Sequence, residues 1–441
     1  MNSRSNAVRT LPDRAPIGPV RPDSLLANDD VPMVASPVPS SAPSEKPLTV
    51  VLVVPTLDAG AAAAGSVGIA GILQRSGHRP IVVSRGGRME ADVVAAGAEF
   101  VRLDVWSWNP VVVLVKAAAL VKLIRRVNAD VVHAHGRSAA WSSYLAARAT
   151  GVPFLTTWHK GFREQNVLKR IYNGVMARGE RVIAVSDQIA DLISERHGVP
   201  SDRISVVPAG VDVAHFDPAA VSEERIEAVR RAWGIRGETR VILAVGRMLR
   251  RKGHHVVIKA VRRLKDRGLK DFVCVFAGDD QDQHSYSGEV WDLVQATETT
   301  DVIRLAGPSD DLPAVYAAAT IVVSGALQPE GLQRAILEAQ AMERPVVVTD
   351  RGASPEMVLA PPTVSEDRMT GLRVPAGDES ALAGALLRLF AASDTERHAM
   401  GARGRAWVAA QFSPSAASEQ ILGLYAAVAG GARLRRRTLT R

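Results

Sequence analysis

Two glutamates, Glu330 and Glu338, lie eight positions apart, with seven residues between them, in a segment with helical periodicity. The pattern predicts a helix that Glu330 opens, followed by a buried strand at 345–348. Along a helix this separation covers about 12 Å at about 1.5 Å per residue, whereas a glycosidase carboxylate pair needs roughly 5–9.5 Å. The spacing therefore favours carboxylates that hold opposite ends of one long ligand, and a helix N-terminus favours a phosphate group.

Two cations, Arg247 and Lys252, follow an apolar run at 239–245 that predicts the first strand of a second domain. Preplaced cations in a dry cleft stabilise a departing phosphate by roughly 3–4 kcal/mol per group. Arginine supplies a bidentate fork and lysine a point charge. Arg250 and Arg251 lie beside them, so a solvated basic loop is the alternative interpretation. The position directly after a strand favours a binding role.

Two histidines, His135 and His159, end predicted strands of the first half of the chain. A neutral imidazole at a strand end can donate or accept a hydrogen bond to a ligand. A purely structural role is the alternative for both residues, and His133 competes with His135 for the ligand-binding role. Gly60 lies in the loop after the first strand, where the backbone can approach a phosphate or an acceptor closely.

The elements that must position these residues follow from the alternation of apolar strands with helical segments. Strand and helix alternate from residue 48, and the series starts again at 239–245, which predicts two doubly wound parallel sheets of the α/β class. Residues 1–46 are rich in Pro and Ser and are predicted to be disordered. The first domain is predicted at 47–220 and the second at 221–413.

Bulk properties limit the partners. The net charge is +8, and five arginines lie within the last eleven residues, so 429–441 is a basic tail that either contacts anionic lipid or stays solvated. Aromatic residues make up only 5% of the chain and no nucleic-acid module is evident, so we expect no nucleic-acid partner. The sequence shows no signal peptide or membrane span. The single cysteine, Cys274, lies in an apolar run and is expected to be buried. We therefore expect a cytoplasmic protein, with peripheral attachment to the inner face of the plasma membrane as a further expectation.

Segments in seven places resemble glycosyltransferase family 4, the retaining nucleotide-sugar transferases of the GT-B fold. In chain order, these segments are 130–136, 156–159, 181–186, 207–212, 246–253, 277–280 and 329–350. With the elements around them, the resemblance covers about residues 48–425. It implies two Rossmann-like domains that face a central cleft, with a final helix at 414–428 that crosses back to the first domain.

The resemblance also implies roles for the candidate residues. Arg247 and Lys252 would hold the donor diphosphate, and Glu338 would accept hydrogen bonds from the ribose. Glu330 would contact hydroxyls of the transferred sugar, with the amides after it, at Gly331 and Leu332, facing the phosphate. His135 and His159 would line the acceptor and transfer site. No cofactor or metal is implied, and the acidic residues at 280–282 are better explained as a solvated turn than as a metal site.

The implied function is retaining transfer of a hexose from a nucleotide sugar to a glycan or lipid-linked acceptor, in the assembly of cell-envelope polysaccharide or lipopolysaccharide. The chain departs from the family pattern at the alanines of 61–64, at Leu332 and at Gln333. Two alternatives therefore stay open: a nucleotide-sugar epimerase of the same fold, and a weakened homologue that binds a nucleotide sugar or a partner without transfer. The segment 111–127 is either a cationic membrane-surface helix or a crossover helix packed on its sheet, and the second is favoured.

Overall fold

The computed structural model describes residues 46–58, 60–161, 167–208, 210–279 and 284–439. The predicted disordered segment, apart from Lys46, and the acidic residues at 280–282 lie outside the described residues. Among the described residues, no helix is both long and apolar enough to cross a membrane.

The first sheet has seven parallel strands in the order β3-β2-β1-β4-β5-β6-β7. The strands are β1 (Thr49–Val53), β2 (Arg79–Ser84), β3 (Glu99–Arg102), β4 (Val131–His135), β5 (Phe154–Trp158), β6 (Arg181–Ala184) and β7 (Ile204–Val206). The helices between them are α1 (Ala61–Arg75), α2 (Glu90–Ala95), α3 (Pro110–Val127), α4 (Arg137–Thr150), α5 (Val167–Asn173) and α6 (Asp187–His197).

The second sheet has six parallel strands in the order β10-β9-β8-β11-β12-β13. The strands are β8 (Arg240–Val245), β9 (Phe272–Ala277), β10 (Ile303–Gly307), β11 (Ile321–Ser324), β12 (Val346–Thr349) and β13 (Gly371–Val374). The associated helices are α7 (Glu223–Ala232), α8 (His254–Asp266), α9 (His284–Ala296), α10 (Leu312–Ala317), α11 (Arg334–Ala341), α12 (Ser354–Met357), α13 (Glu379–Ala391) and α14 (Asp394–Gln411).

Each sheet is buried on both faces because side chains alternate along its strands. In β1, Val51 and Val53 join one apolar cluster, while Val50 and Leu52 join the cluster on the opposite face. In β8, Ile242 and its neighbours Val241 and Leu243 divide in the same way. Cys274 is buried within this second sheet, as expected. The predicted fold class, two doubly wound parallel sheets, is confirmed.

The last helix, α15 (Pro414–Leu439), packs back onto the first sheet. Its residues Ile421, Leu424 and Tyr425 belong to the apolar cluster that also contains β1 side chains. The Tyr425 hydroxyl lies 2.7 Å from Nδ1 of His133 on β4. The helix continues past residue 428, where the sequence predicted its end. Val211 and Phe216 pack in the second-sheet cluster, ahead of the predicted boundary at 220/221, and that boundary stays a prediction.

Candidate active site

The candidate site lies between the two sheets, where the carboxyl ends of their strands face each other. A close backbone contact joins the two sides: a Cβ built on Gly331 would lie 2.7 Å from the carbonyl oxygen of His159. Only glycine fits such an approach without displacing the neighbouring backbone. The loop that carries Glu330 is therefore held directly against the end of β5.

Glu330 forms two ion pairs with the turn that follows β8. Its carboxylate accepts hydrogen bonds from Arg251 and from Nζ of Lys252, which lies 2.6 Å away. The side chain of Glu330 is only 12% exposed, so both pairs are largely shielded from solvent. The structure thus brings Glu330 and Lys252 together, whereas the sequence assigned them to separate ligand groups.

The expectation that Glu330 opens a helix is wrong. The helix α11 begins at Arg334, and Glu330 lies in the loop before it. The amide of Ala353 donates to the carbonyl of Glu330 at 3.0 Å, and Gly352 packs against the same backbone. These tertiary contacts hold the loop extended, so the distance derived from a helical rise does not apply to the two glutamates.

The surroundings of Lys252 lower its pKa and so favour its neutral form. Burial, followed by the charges of Arg251 and Arg247, lowers the pKa of Lys252 to about 8. Glu330 opposes this change because a neighbouring carboxylate favours the charged ammonium. Arg247 is half-buried on the loop after β8, and its charge is felt by both Lys252 and Arg251.

Glu338 is buried on α11, with its side chain 7% exposed. It accepts a hydrogen bond of 2.9 Å from the Tyr316 hydroxyl and one of 3.1 Å from Nε of Arg334. Both carboxylate oxygens are therefore oriented before any ligand binds. A preoriented carboxylate of this kind can accept hydrogen bonds from a diol such as ribose.

The two predicted histidines form a pair. Nδ1 of His135 lies 3.1 Å from Nε2 of His159, so one nitrogen donates and the other accepts. Burial lowers the pKa of His159 to about 4, and burial followed by the two neighbouring histidines lowers the pKa of His135 well below its usual range. Both rings are neutral at pH 7 and able to donate or accept.

His133 has a structural role in this arrangement. Its two nitrogens contact the Tyr425 hydroxyl and Oγ1 of Thr157, each at 2.7 Å. It is completely buried, and both nitrogens are used within the protein. Nε2 of His135, by contrast, is a buried nitrogen without a hydrogen-bond partner among the described residues. His133 is thus used within the protein, and the ligand-binding role of His135 stays a prediction.

Gly60 precedes α1 with a φ of 119°, a backbone conformation that glycine adopts readily. The alanines of 61–64 form the first turn of that helix rather than a loop. One turn later, Gly65 lies beneath His159, where an added Cβ would be 2.8 Å from the ring. The start of α1 therefore lies beside the histidine pair.

Two of the departures from the family pattern, Leu332 and Gln333, lie in the loop before α11 (329–333, the 330s loop), and both side chains pack inward. Leu332 is half-buried against the second-sheet apolar cluster. Gln333 is 7% exposed, and its side-chain oxygen accepts a hydrogen bond of 2.6 Å from Ser324. Gln333 also lines a small pocket with Gly246 and Lys252. Its side chain is turned towards β11, so it fills space beside the cations without pairing with them.

Sequence reasoning missed three residues. Arg251 shares Glu330 with Lys252, and Tyr316 orients Glu338. Lys160 follows His159 in the first domain, and partial burial followed by Arg251, Arg247 and Arg137 lowers its pKa. Cations of both domains therefore lie close enough to repel one another. The only sequence signal for Lys160 was its place next to a strand-end histidine.

Metal ligation can be assessed only for the described part of the chain. No group of three or more His, Cys, Asp or Glu side chains is arranged there to hold an ion. The expected independence from metals and cofactors stays a prediction.

Comparison with known proteins gives consistent results along the chain. Residues 67–215 match Glycosyltransferase Family 4, and residues 239–392 match Glycosyl transferases group 1. The chain is 30% identical over 328 residues to a D-inositol 3-phosphate glycosyltransferase of Salinispora arenicola, covering 67% of this chain and 68% of that protein. The enzyme of the same name from Salinispora tropica is also 30% identical, over 67% of this chain, which spans 63% of that protein.

Solved structures of the same architecture include a glycosyltransferase from Rickettsia africae. It has a TM-score of 0.78 and 28% identity, over 86% of this chain and 98% of its own. Anabaena HepE in complex with UDP-glucose has a TM-score of 0.73 at 18% identity, over 85% of this chain and 98% of its own, which shows a shared fold. The chain belongs to glycosyltransferase family 4, and its two facing domains have the GT-B fold.

Proposed function

We propose that the protein transfers a hexose, with retention of anomeric configuration, from a nucleotide diphosphate sugar to a glycan or lipid-linked acceptor. The observation that carries this proposal is the juxtaposition of a cation cluster on one domain with a neutral histidine pair on the other. Arg251 and Lys252 pair with Glu330, and Gly331, the next residue in the chain, lies against the His159 carbonyl. A cleft of this kind can hold a diphosphate on one side and a sugar and acceptor on the other.

The proposed chemistry uses the residues as follows. Glu338, held by Tyr316, accepts the ribose hydroxyls, and Arg247 and Lys252 contact the diphosphate. As the bond between the sugar and the phosphate oxygen breaks, these cations stabilise the growing negative charge. The acceptor oxygen forms its bond to the sugar on the same face, and its proton passes to the departing phosphate. No separate general base is then required.

The acceptor and setting are part of the same proposal. The relatives named D-inositol 3-phosphate glycosyltransferases show that acceptors within this family need not be polysaccharides. We propose a role in cell-envelope polysaccharide synthesis, with the protein in the cytoplasm at the inner face of the plasma membrane. The five arginines within the last eleven residues support this location, since anionic lipid attracts basic segments.

The test is a thermal-shift screen with UDP, GDP, ADP and dTDP sugars, beginning with UDP-glucose. A ligand at about a hundredfold its Kd should stabilise the protein by about 2.7 kcal/mol. Lys252→Ala and Glu338→Gln should lose both the shift and the release of nucleotide diphosphate. Arg250→Ala is the matched control, because Arg250 lies in the same turn but pairs outward with Glu289 and is 70% exposed.

A parent protein that no nucleotide sugar stabilises would contradict the proposal. So would Lys252→Ala and Glu338→Gln variants that release diphosphate at the parental rate. Donor consumption without any acceptor would favour the epimerase alternative.

A further inference from the structure

Apolar side chains gather on the outer surface of the first domain, on α5, on the first half of α3 and on the loop before it. Eight large hydrophobic side chains there have exposed fractions between 45% and 76%: Trp106, Trp108, Val111, Leu114, Val115, Val167, Leu168 and Ile171. The ring of Trp108 stacks on that of Tyr172 at a centroid distance of 4.2 Å, which joins the loop to α5. We refer to these eight side chains as the apolar platform.

The helix α3 has two different faces. Ala117, Leu120, Leu123, Ile124 and Val127 are buried, and most pack in the core of the first sheet, which confirms the predicted crossover helix. The opposite face carries Val111, Leu114 and Val115 at the i, i+3 and i+4 spacing that places side chains together. Later turns of this exposed face carry Lys122 and Arg125. The face is therefore apolar in its first half and basic in its second half.

The surroundings of the apolar platform are strongly basic. The stretches 103–127 and 167–173 contain six basic residues and one acidic residue. That acidic residue, Asp104, is paired with Nζ of Lys116 at 3.0 Å. The charge around the apolar platform thus complements an anionic partner, which argues against an ordinary apolar protein surface as its occupant.

The apolar platform lies at the mouth of the cleft. The loop before α3 leaves from the end of β3 at Arg102, and the chain that leads to α5 leaves from the end of β5 at Trp158. Carboxyl ends of parallel strands lie at one edge of a sheet, and this is the edge that carries His159. A partner bound to the apolar platform would therefore lie next to the candidate site.

We propose that the apolar platform docks the protein onto an anionic lipid bilayer, with the cleft mouth turned towards the membrane surface. The exposed Trp106 and Trp108 suit the headgroup region, and valine and leucine side chains suit the acyl boundary. Basic side chains contact the anionic headgroups. So many large exposed apolar side chains on neighbouring elements are unusual unless they bind something. The inference deepens the proposed function and rests on it in one respect, because it selects a lipid-linked acceptor.

Vesicle flotation with the full chain tests this inference. The parent should float with vesicles of phosphatidylcholine containing about one third phosphatidylglycerol, and less with pure phosphatidylcholine. Val115→Glu and Leu168→Glu should each reduce partitioning about tenfold or more, because each replaces an apolar side chain that would enter the bilayer with a carboxylate. Val94→Glu is the matched control: Val94 is 64% exposed on α2, outside the apolar platform, and its substitution should leave flotation unchanged.

The inference is overturned if the parent stays unbound with anionic vesicles, or if all three variants float as the parent does. Self-association of the parent that Val115→Glu abolishes, without vesicle binding, would assign the apolar platform to a second copy and also overturn it. A thermal shift with UDP separates this inference from the proposed function. If the apolar platform variants keep the thermal shift with UDP but no longer float, membrane docking is supported. If the parent floats but no nucleotide sugar stabilises it, docking is supported and the proposed function is contradicted.

Discussion

Lys252 is the residue whose charge the proposed chemistry depends on most directly. Burial and two neighbouring arginines lower its pKa to about 8, so its charged fraction falls as the pH rises through that value. We expect kcat/KM for the donor to fall above about pH 8, by about tenfold per pH unit, because a neutral amine no longer stabilises the departing diphosphate. Lys252→Arg keeps its charge over this range and should remove the decline.

The measurement is the pH profile of kcat/KM for the parent, for Lys252→Arg and for Arg250→Lys. Arg250 is exposed and paired with Glu289, so the third profile should follow the parent. Parallel declines in the parent and Lys252→Arg would assign the titration to another group.

Residue types at or after strand ends predicted Arg247, Lys252, His135 and His159 as site candidates, and the spacing of the two glutamates predicted Glu338; these roles stay predictions. Residue types alone did not show which basic residues of the turn after β8 point into the site and which point outward. Arg250, Arg251 and Lys252 form one short helical turn, and its rotation sends Arg250 outward to Glu289 while the other two reach Glu330. The direction in which each side chain of this turn points cannot be predicted from composition, because it depends on how the turn packs against the 330s loop.

At the level of elements, the apolar runs at 239–245 and 345–348 predicted β8 and β12 to within one residue at each end. The start of α3 follows from local chemistry, because the Asn109 side chain accepts from the amide of Val111 and Pro110 occupies the first turn. The start of α11 does not, because contacts with Gly352 and Ala353 hold the preceding loop extended. The helical periodicity of the sequence therefore predicted a start for α11 that is too early, because tertiary contacts outweigh the local helix preference of residues 330–333.

The attachment of α15 to the first sheet gives a prediction at this scale. Tyr425→Phe removes the hydroxyl that contacts His133 in a fully buried site, so we expect a loss of about 1–3 kcal/mol in the free energy of unfolding. Urea denaturation measures this loss. Tyr286→Phe is the control, since its hydroxyl contacts His254 at a longer distance of 3.4 Å and should matter less. Equal stability of Tyr425→Phe and the parent would mean that this contact does not hold α15 in place.

At the level of the whole molecule, contacts between described residues bridge the two domains besides the linker and α15. Gly331 meets His159, Arg88 pairs with Asp279 at 2.8 Å, and Glu356 reaches the start of α6. The Glu356 carboxylate accepts from the amides of Asp187 and Gln188, each at 3.0 Å. None of these pairings could be read from the sequence, because the partners in the second and third are more than 160 positions apart.

Glu356 makes this interface sensitive to pH. The pKa of Glu356 is raised from 4.5 to about 7, chiefly by burial and also by the charges of Asp187 and Asp191, while the two amide hydrogen bonds act in the opposite direction. Since the folded protein favours the protonated form, the stability contribution is complete below about pH 4.5 and is lost as the pH rises through about 7. The shift corresponds to at most about 3 kcal/mol.

Glu356→Gln cannot titrate, so its free energy of unfolding should fall less than that of the parent between about pH 5 and about pH 8. Urea denaturation at several pH values provides the test. Glu366→Gln is the control, because Glu366 pairs on the surface with Arg388 and is 68% exposed. Identical pH dependence in the parent and Glu356→Gln would rule out Glu356 as the titrating group.

The contact between Gly331 and the His159 carbonyl has a kinetic consequence. Glu330 is the immediate chain neighbour of Gly331, so any opening wide enough to admit a large substrate must draw this carboxylate away from the histidines. We therefore expect loading and bond formation to belong to different conformations. An opened enzyme is poorly equipped to cleave the sugar, which would protect the activated donor from wasteful hydrolysis until an acceptor is enclosed with it.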